Sequence, residues 1–153
     1  MKLDCNDELF MREAMAEALL AEARGEVPVG AVVVAGGRII ARGHNRVIAE
    51  NDLTAHAEVV ALRAAGQALV NYRLNECQLF STIEPCAMCA GALVHARVAR
   101  LVYGADDPKA GAVRSVLQVI NAPWANHRME VVPGVLAGSC AGLLQDFFRE
   151  RRE

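Results

Sequence analysis

Two short runs hold the side chains best suited to chemistry. His56-Ala57-Glu58 follows Thr54-Ala55, and Pro85-Cys86-Ala87-Met88-Cys89 follows a run that reads as a strand, Cys77 to Ile83. Both stand at expected helix starts. If the two junctions lie side by side, one imidazole and two thiolates converge and can hold a tetrahedral zinc with one position open, which is the form of a catalytic site. A structural zinc would want a fourth protein ligand, and the remaining cysteines are poor candidates: Cys5 is in the N-terminal segment, Cys77 starts a strand and Cys140 belongs to the last helix. Helix starts also favour thiolates and metal-bound hydroxide, because free backbone N–H groups and the positive end of the dipole point there. Glu58, two residues from His56 on the first turn, can reach the open position and move a proton from water to a leaving group.

Each of these residues has a plainer reading when taken alone. His56 could cap a helix, Glu58 could be a solvated helix residue, and Cys86 with Cys89 could be a thioredoxin-type redox pair. The redox reading gives no reason for His56 and Glu58, and it is the two runs together that favour a zinc site.

The elements that must position these residues follow from periodicity. Asn6 to Ala23 has Leu9, Phe10, Ala14, Met15, Ala18 and Leu19 at helical spacing, with Gly25 as a stop. Val29 to Ala35 is a β-branched run, and Gly36-Gly37 before Arg38-Ile39-Ile40 reads as a two-residue hairpin turn. Thr54 is expected to cap a helix from Ala55 to about Ala65, ended by Gly66. Pro85 suits the first position of a helix reaching about Arg97. Val98 to Tyr103 reads as a strand, 104–114 as a loop, Ser115 to Ile120 as a short helix, Met129 to Val132 as a last strand and Ser139 to Arg152 as a closing helix. A hairpin followed by helical crossovers predicts a three-layer α/β/α sandwich with a mixed five-stranded sheet.

Composition sets the outer limits. The chain has 153 residues, 54% of them hydrophobic and 22% charged, which fits one domain over 1–153 and argues against disorder. Its longest stretch free of Asp, Glu, Lys and Arg, Val131 to Gln145, has 15 residues broken by Pro133 and three glycines, too short and too interrupted to span a bilayer. The acidic first residues lack the apolar core of a signal peptide, so a cytoplasmic location is expected. A net charge of -2 speaks at first against a nucleic-acid partner. The acids, however, gather early, at Asp4, Asp7, Glu8, Glu13, Glu17 and Glu22, whereas Arg114, Arg128, Arg149, Arg151 and Arg152 come late. A local basic surface is compatible with that balance.

The pair of runs matches H-x-E with P-C-x-x-C, the signature of the zinc deaminases. From these residues outward the sequence resembles the bacterial tRNA-specific adenosine deaminases of the cytidine deaminase-like family. The resemblance is carried by Glu26-Val27-Pro28-Val29-Gly30-Ala31, Asn45-Arg46, Thr54-Ala55-His56-Ala57-Glu58, Asn71-Tyr72-Arg73-Leu74, Glu84-Pro85-Cys86, Tyr103-Gly104-Ala105, Lys109 with Gly111-Ala112, Asn126-His127-Arg128 and Asp146-Phe147-Phe148-Arg149. It departs at Leu53, where the family usually has Pro, and at Asp106, where a basic residue is common.

The resemblance implies the cytidine deaminase-like fold, conversion of a wobble adenosine to inosine in a tRNA anticodon stem-loop, one zinc per subunit and a homodimer. It implies that His56, Cys86 and Cys89 hold zinc and that Glu58 shuttles protons. Asn45 would hydrogen-bond the flipped adenine with Ala57 alongside, Asp107 would approach the ribose, and Phe148, Arg151 and Arg152 would lie near the anticodon loop. Asn45 and Asp107 have turn roles open to them as well. Of Phe147 and Phe148 one should pack and the other reach outward, and the last arginines could equally be a solvated tail. Two other readings share the zinc residues: deamination of a free base or nucleoside, and a zinc-stabilised RNA-binding module in which Glu58 does nothing.

Overall fold

The computed structural model describes residues 3–152, the side chain of Arg152 excepted. Its order is α1 (Asp7–Ala23), β1 (Gly30–Ala35), β2 (Arg38–His44), α2 (Val47–Glu50), α3 (Ala57–Leu69), β3 (Cys77–Ile83), α4 (Ala87–Ala96), β4 (Arg100–Ala105), β5 (Glu130–Val132) and α5 (Ala137–Arg152). The five strands lie in the order β2-β1-β3-β4-β5. β1 runs antiparallel to β2 and β3, while β3, β4 and β5 are parallel. The predicted mixed sheet is therefore present.

Alternation along the strands builds a core on each side of the sheet. Ala31, Val33, Leu79, Leu101 and Tyr103 pack with Ala57, Ala61 and Leu62 of α3 and Ala90 and Leu93 of α4. Val32, Val34, Phe80 and Val102 pack with Met11 and Ala14 of α1 and Cys140 of α5. This is the three-layer α/β/α sandwich. The hairpin turn is as expected, with Gly36 and Gly37 at φ 58° and 76°, a type I′ geometry that other residues adopt at a cost. Gly43 matters more to the site. A Cβ there would sit 2.5 Å from the Ala57 carbonyl oxygen, so β2 receives the start of α3 against bare backbone. No helix among the described residues is long and apolar enough to cross a membrane.

Several boundaries differ from expectation. The helix expected from Ala55 begins at Ala57 with His56 as its N-cap, because the Thr54 hydroxyl turns back to Asp52 Oδ1 at 2.7 Å. Gly66 does not end α3. The helix continues to Leu69 and stops where Val70 takes a left-handed φ of 50°. Pro85 precedes the N-cap of α4, Cys86, and is not its first residue. The strand expected over Val98 to Tyr103 is shifted to Arg100–Ala105. The helix expected at Ser115 to Ile120 is absent, and turns occupy that segment. A helix there would send the Val119 N–H back to Ser115, but it donates to the Ala112 carbonyl, and the N–H groups of Val116 and Leu117 donate to the Gly111 carbonyl. The short α2 was not anticipated. The buried Glu26 carboxylate accepts its Ile48 and Ala49 N–H groups at 3.1 and 2.8 Å.

Candidate active site

His56 and Cys86 are the N-caps of α3 and α4, and Cys89 lies in the first turn of α4. The two predicted junctions do stand side by side. His56 Nδ1 is 3.7 Å from Cys86 Sγ and 3.4 Å from Cys89 Sγ, and the three donor atoms lie within 4.8 Å of one another. Bond lengths of about 2.05 Å for Zn–N and 2.3 Å for Zn–S at tetrahedral angles require an N···S edge of about 3.6 Å. Both observed edges lie close to that figure, so the donor set fits a tetrahedral zinc in element, spacing and number, with one corner left to a non-protein ligand.

Charge follows from burial and from these contacts. Cys86 is pushed down to about 3, first by the hydrogen bond from Cys89 and then by that from His56. Cys89 is pushed up by the same partnership and by burial. The pair therefore shares one negative charge. His56 is raised above the usual imidazole range, chiefly by its bond to Cys86. Glu58, on the first turn of α3 and 3% exposed, is pushed up to about 7 by desolvation. A carboxyl poised there can both take and give a proton at neutral pH.

These groups lie in a cleft of about 1150 Å³. His56, Glu58 and Cys86 line it together with Asn45, the α2 residues Val47 and Ile48, residues 105–110, and Leu144, Phe148 and Arg151 of α5. The side-chain carbonyl of Asn45 accepts the Ala57 N–H at 2.8 Å, the capping task that Thr54 was expected to perform. Among the described residues the Asn45 amide nitrogen has no protein partner. Ala57 is wholly buried and enters the arrangement through that N–H. Asp107 borders the cleft, and its Oδ1 accepts the N–H groups of Lys109 and Ala110 at 3.0 and 3.2 Å.

On α5 the two phenylalanines divide as expected. Phe147 is buried and Phe148 is 47% exposed at the cleft. Arg151 stacks its guanidinium 3.6 Å over the Phe147 ring. The other arginines expected to form a free basic surface are largely engaged within the chain. Arg114 forks onto Asp106 at 3.0 and 2.9 Å, Arg128 donates to the Asn121 carbonyl, and Arg149 pairs with Asp146. The side chain of Arg152 lies outside the described residues.

Sequence reasoning quoted Glu84 only as part of a motif. The structure shows it 1% exposed, accepting five hydrogen bonds: from the N–H of Asp107, Val113, Arg114 and Ser115 and from the Ser115 hydroxyl. Burial alone would raise this carboxyl, but these donors hold it below its usual value. The available signal was an acid at the end of an apolar strand, directly before Pro85-Cys86.

Comparison with known proteins agrees with this geometry. The profile of the MafB19-like deaminase family matches residues 5–152. The chain is 48% identical over 147 residues to a tRNA-specific adenosine deaminase of Bacillus subtilis, covering 96% of this chain and 91% of the relative. It is 49% identical over 148 residues to one from Haemophilus influenzae, covering 96% and 86%. A solved structure from work on tRNA:A34 deaminases and A-to-I editing at the wobble position superposes with a TM-score of 0.86 at 46% identity, covering 89% of this chain and 99% of that one. A guanine deaminase from Nitrosomonas europaea superposes with a TM-score of 0.79 at 25% identity, covering 95% and 86%.

Proposed function

We propose, for a chain that belongs to the tRNA-specific adenosine deaminases within the MafB19-like deaminase family, hydrolytic deamination of the wobble adenosine of a tRNA anticodon loop to inosine. The observation that carries the chemistry is Glu58: a buried carboxyl near pKa 7, beside three donors at zinc spacing, in an open cleft. His56, Cys86 and Cys89 would hold the ion, one per subunit. Bound zinc supplies a Lewis acid that makes water acidic enough to attack near neutral pH.

Glu58 takes a proton from the attacking water at its carboxylate and delivers it to the ring nitrogen beside carbon 6. A second transfer through the same carboxylate protonates the amino group, which leaves as ammonia, so that adenosine and water give inosine and ammonia. The Asn45 amide nitrogen, facing the cleft while its carbonyl is fixed to Ala57, is the donor for the base. Asp107 borders the place of the ribose, and Phe148 with Arg151 offers an aromatic edge and a cation to the flanking nucleotides. An adenine must be splayed out to enter, and a loop nucleotide is already unpaired.

We further propose that residues 1–153 act as one domain, in the cytoplasm and as a homodimer. A groove beside α3 and α4, lined by Val59, Leu62, Tyr72 and Ala92 with Arg63 and His95, is one face such a partner could cover. Sedimentation of the zinc-loaded protein tests the dimer.

The activity is tested by mass spectrometry of an anticodon stem-loop after incubation with zinc-loaded protein, beside free adenosine, cytidine and guanine. Inosine at the wobble position, abolished in Glu58→Ala with zinc and RNA binding retained, is the expected result. Turnover of a free base with the stem-loop untouched would replace this reading by the free-base one. Unchanged behaviour of Glu58→Ala would leave only a binding module.

A further inference from the structure

Glu84 borders the cleft but is 1% exposed, and residues 107–115 curl around its carboxylate. Oε1 accepts from the Asp107 N–H at 3.0 Å and from the Ser115 hydroxyl, and Oε2 accepts from the N–H groups of Val113, Arg114 and Ser115 at 3.0, 2.8 and 2.9 Å. The wrap leaves no room for a side chain. A Cβ on Gly111 would lie 2.3 Å from Glu84 Oε1 and 2.6 Å from the Asp107 carbonyl oxygen.

Backbone bonds flank this anchor on both sides. The Glu84 N–H donates to the Ala105 carbonyl and the Ala112 N–H to the Pro85 carbonyl, each at 2.8 Å. The same turn continues into Cys86, while the wrapped segment carries Asp107, Pro108, Lys109 and Ala110 on the wall of the cleft. One buried carboxylate thus joins two parts of the site that lie more than twenty residues apart in sequence.

We infer that Glu84 is a positioning residue for substrate: its five hydrogen bonds hold residues 107–115 in the single shape that forms the Asp107 wall, and fix that wall relative to the turn bearing Cys86. The inference rests on the deaminase reading for what the wall binds, and on geometry alone for how the wall is held. A carboxylate is required because all five partners are donors. An amide at the same place turns an N–H2 toward N–H groups and leaves at least one of them unbonded, with the loss characteristic of charge-assisted bonds.

The test uses full-length zinc-loaded protein and two substitutions. In Glu84→Gln the KM for the stem-loop should rise about tenfold, the size expected for losing one bond to a charged group. The fall in kcat should be less than about threefold, since Glu58 and the three donors sit on α3 and α4. Zinc content should be unchanged, and trypsin should cut after Lys109 or Arg114 sooner than in the parent. Ser115→Ala removes one donor, leaves the four N–H groups, and should shift KM and proteolysis in the same direction by less. It also keeps the question open if Glu84→Gln does not fold.

Unchanged KM together with unchanged proteolysis would overturn the inference. So would a matched loss of zinc and kcat at constant KM, which would mark Glu84 as no more than a prop for Cys86. If the parent protein leaves the stem-loop unaltered, the deaminase reading fails, and the trypsin comparison still decides whether Glu84 holds the loop.

Discussion

Asn45 is given two jobs by one amide, and two substitutions separate them. Its Oδ1 accepts the Ala57 N–H at 2.8 Å, while its Nδ2 is the donor proposed for the base. Asn45→Ala removes both functions. Loss of the capping acceptor should cost about 1 kcal/mol, or roughly 2–4 °C in Tm for a domain of this size. Asn45→Asp keeps the acceptor and sets a negative charge at the start of α3, which the helix dipole favours by about 0.3–1 kcal/mol. Its stability should therefore match or slightly exceed the parent. In the cleft, however, Asp presents oxygen to a base acceptor where the amide presented N–H. A site built to hydrogen-bond one partner rejects the wrong one by several powers of ten, so kcat/KM should drop by about 100-fold or more, close to 3 kcal/mol of transition-state stabilisation. The assay pairs thermal denaturation with initial rates on the stem-loop at saturating zinc. Should Asn45→Asp retain kcat/KM within about threefold, Asn45 is a helix cap and the donor role is refuted; should Asn45→Ala melt with the parent, the capping argument is refuted.

Three further outcomes follow from other places in the fold. Gly43→Ala drives a Cβ to 2.5 Å from the Ala57 oxygen and 2.6 Å from the Ala61 nitrogen; backbone cannot yield locally, so α3 shifts with His56 and Glu58, lowering stability by about 1–3 kcal/mol and activity by about 100-fold, to be read as melting temperature and kcat well below it. Val70 is β-branched, 90% exposed and left-handed at φ 50°; Val70→Gly should stabilise by about 1 kcal/mol, raising Tm with kinetics unchanged. Metal loading should release protons, because the raised Cys89 thiol must give its proton up to bind and the imidazole of His56 binds only in its neutral form. Zinc affinity then falls as pH falls, and a competitive chelator titration giving the same affinity at about pH 6 and pH 8 would contradict this.

The parts legible in sequence are those whose partners lie close in sequence or repeat with a period. The Gly36-Gly37 turn, the apolar runs of β1 and β3 and the face of α1 all declare themselves locally, and the ligand spacing of Cys86 and Cys89 is fixed by one helical turn. What escaped is long-range hydrogen bonding. Thr54 is a sound cap by type, but Asn45, twelve positions before Ala57, does that work. The segment from Ser115 to Ile120 reads as a helix, yet the Val119 N–H, which a helix would send to Ser115, donates to the Ala112 carbonyl, and those of Val116 and Leu117 donate to Gly111. The late arginines counted as a basic surface until Asp106 and Asp146 were seen to pair with two of them.

Glu58 and Glu84 are both almost fully buried, at 3% and 1% exposure, and the same side chain serves opposite ends. Desolvation acts on each alike, disfavouring the charged form. What differs is the supply of donors. Glu84 receives four backbone N–H groups and a hydroxyl, and these outweigh burial, so it stays ionised and inert as an anchor. Glu58 has desolvation as its dominant influence and the anionic Cys86 nearby, and is pushed up to about 7, where a proton can be gained or lost at little cost. Environments that push two like groups apart suit them to different roles: the carboxyl left short of donors fits the proposed exchange of protons with substrate, and the saturated one fits the proposed anchoring of the Asp107 wall.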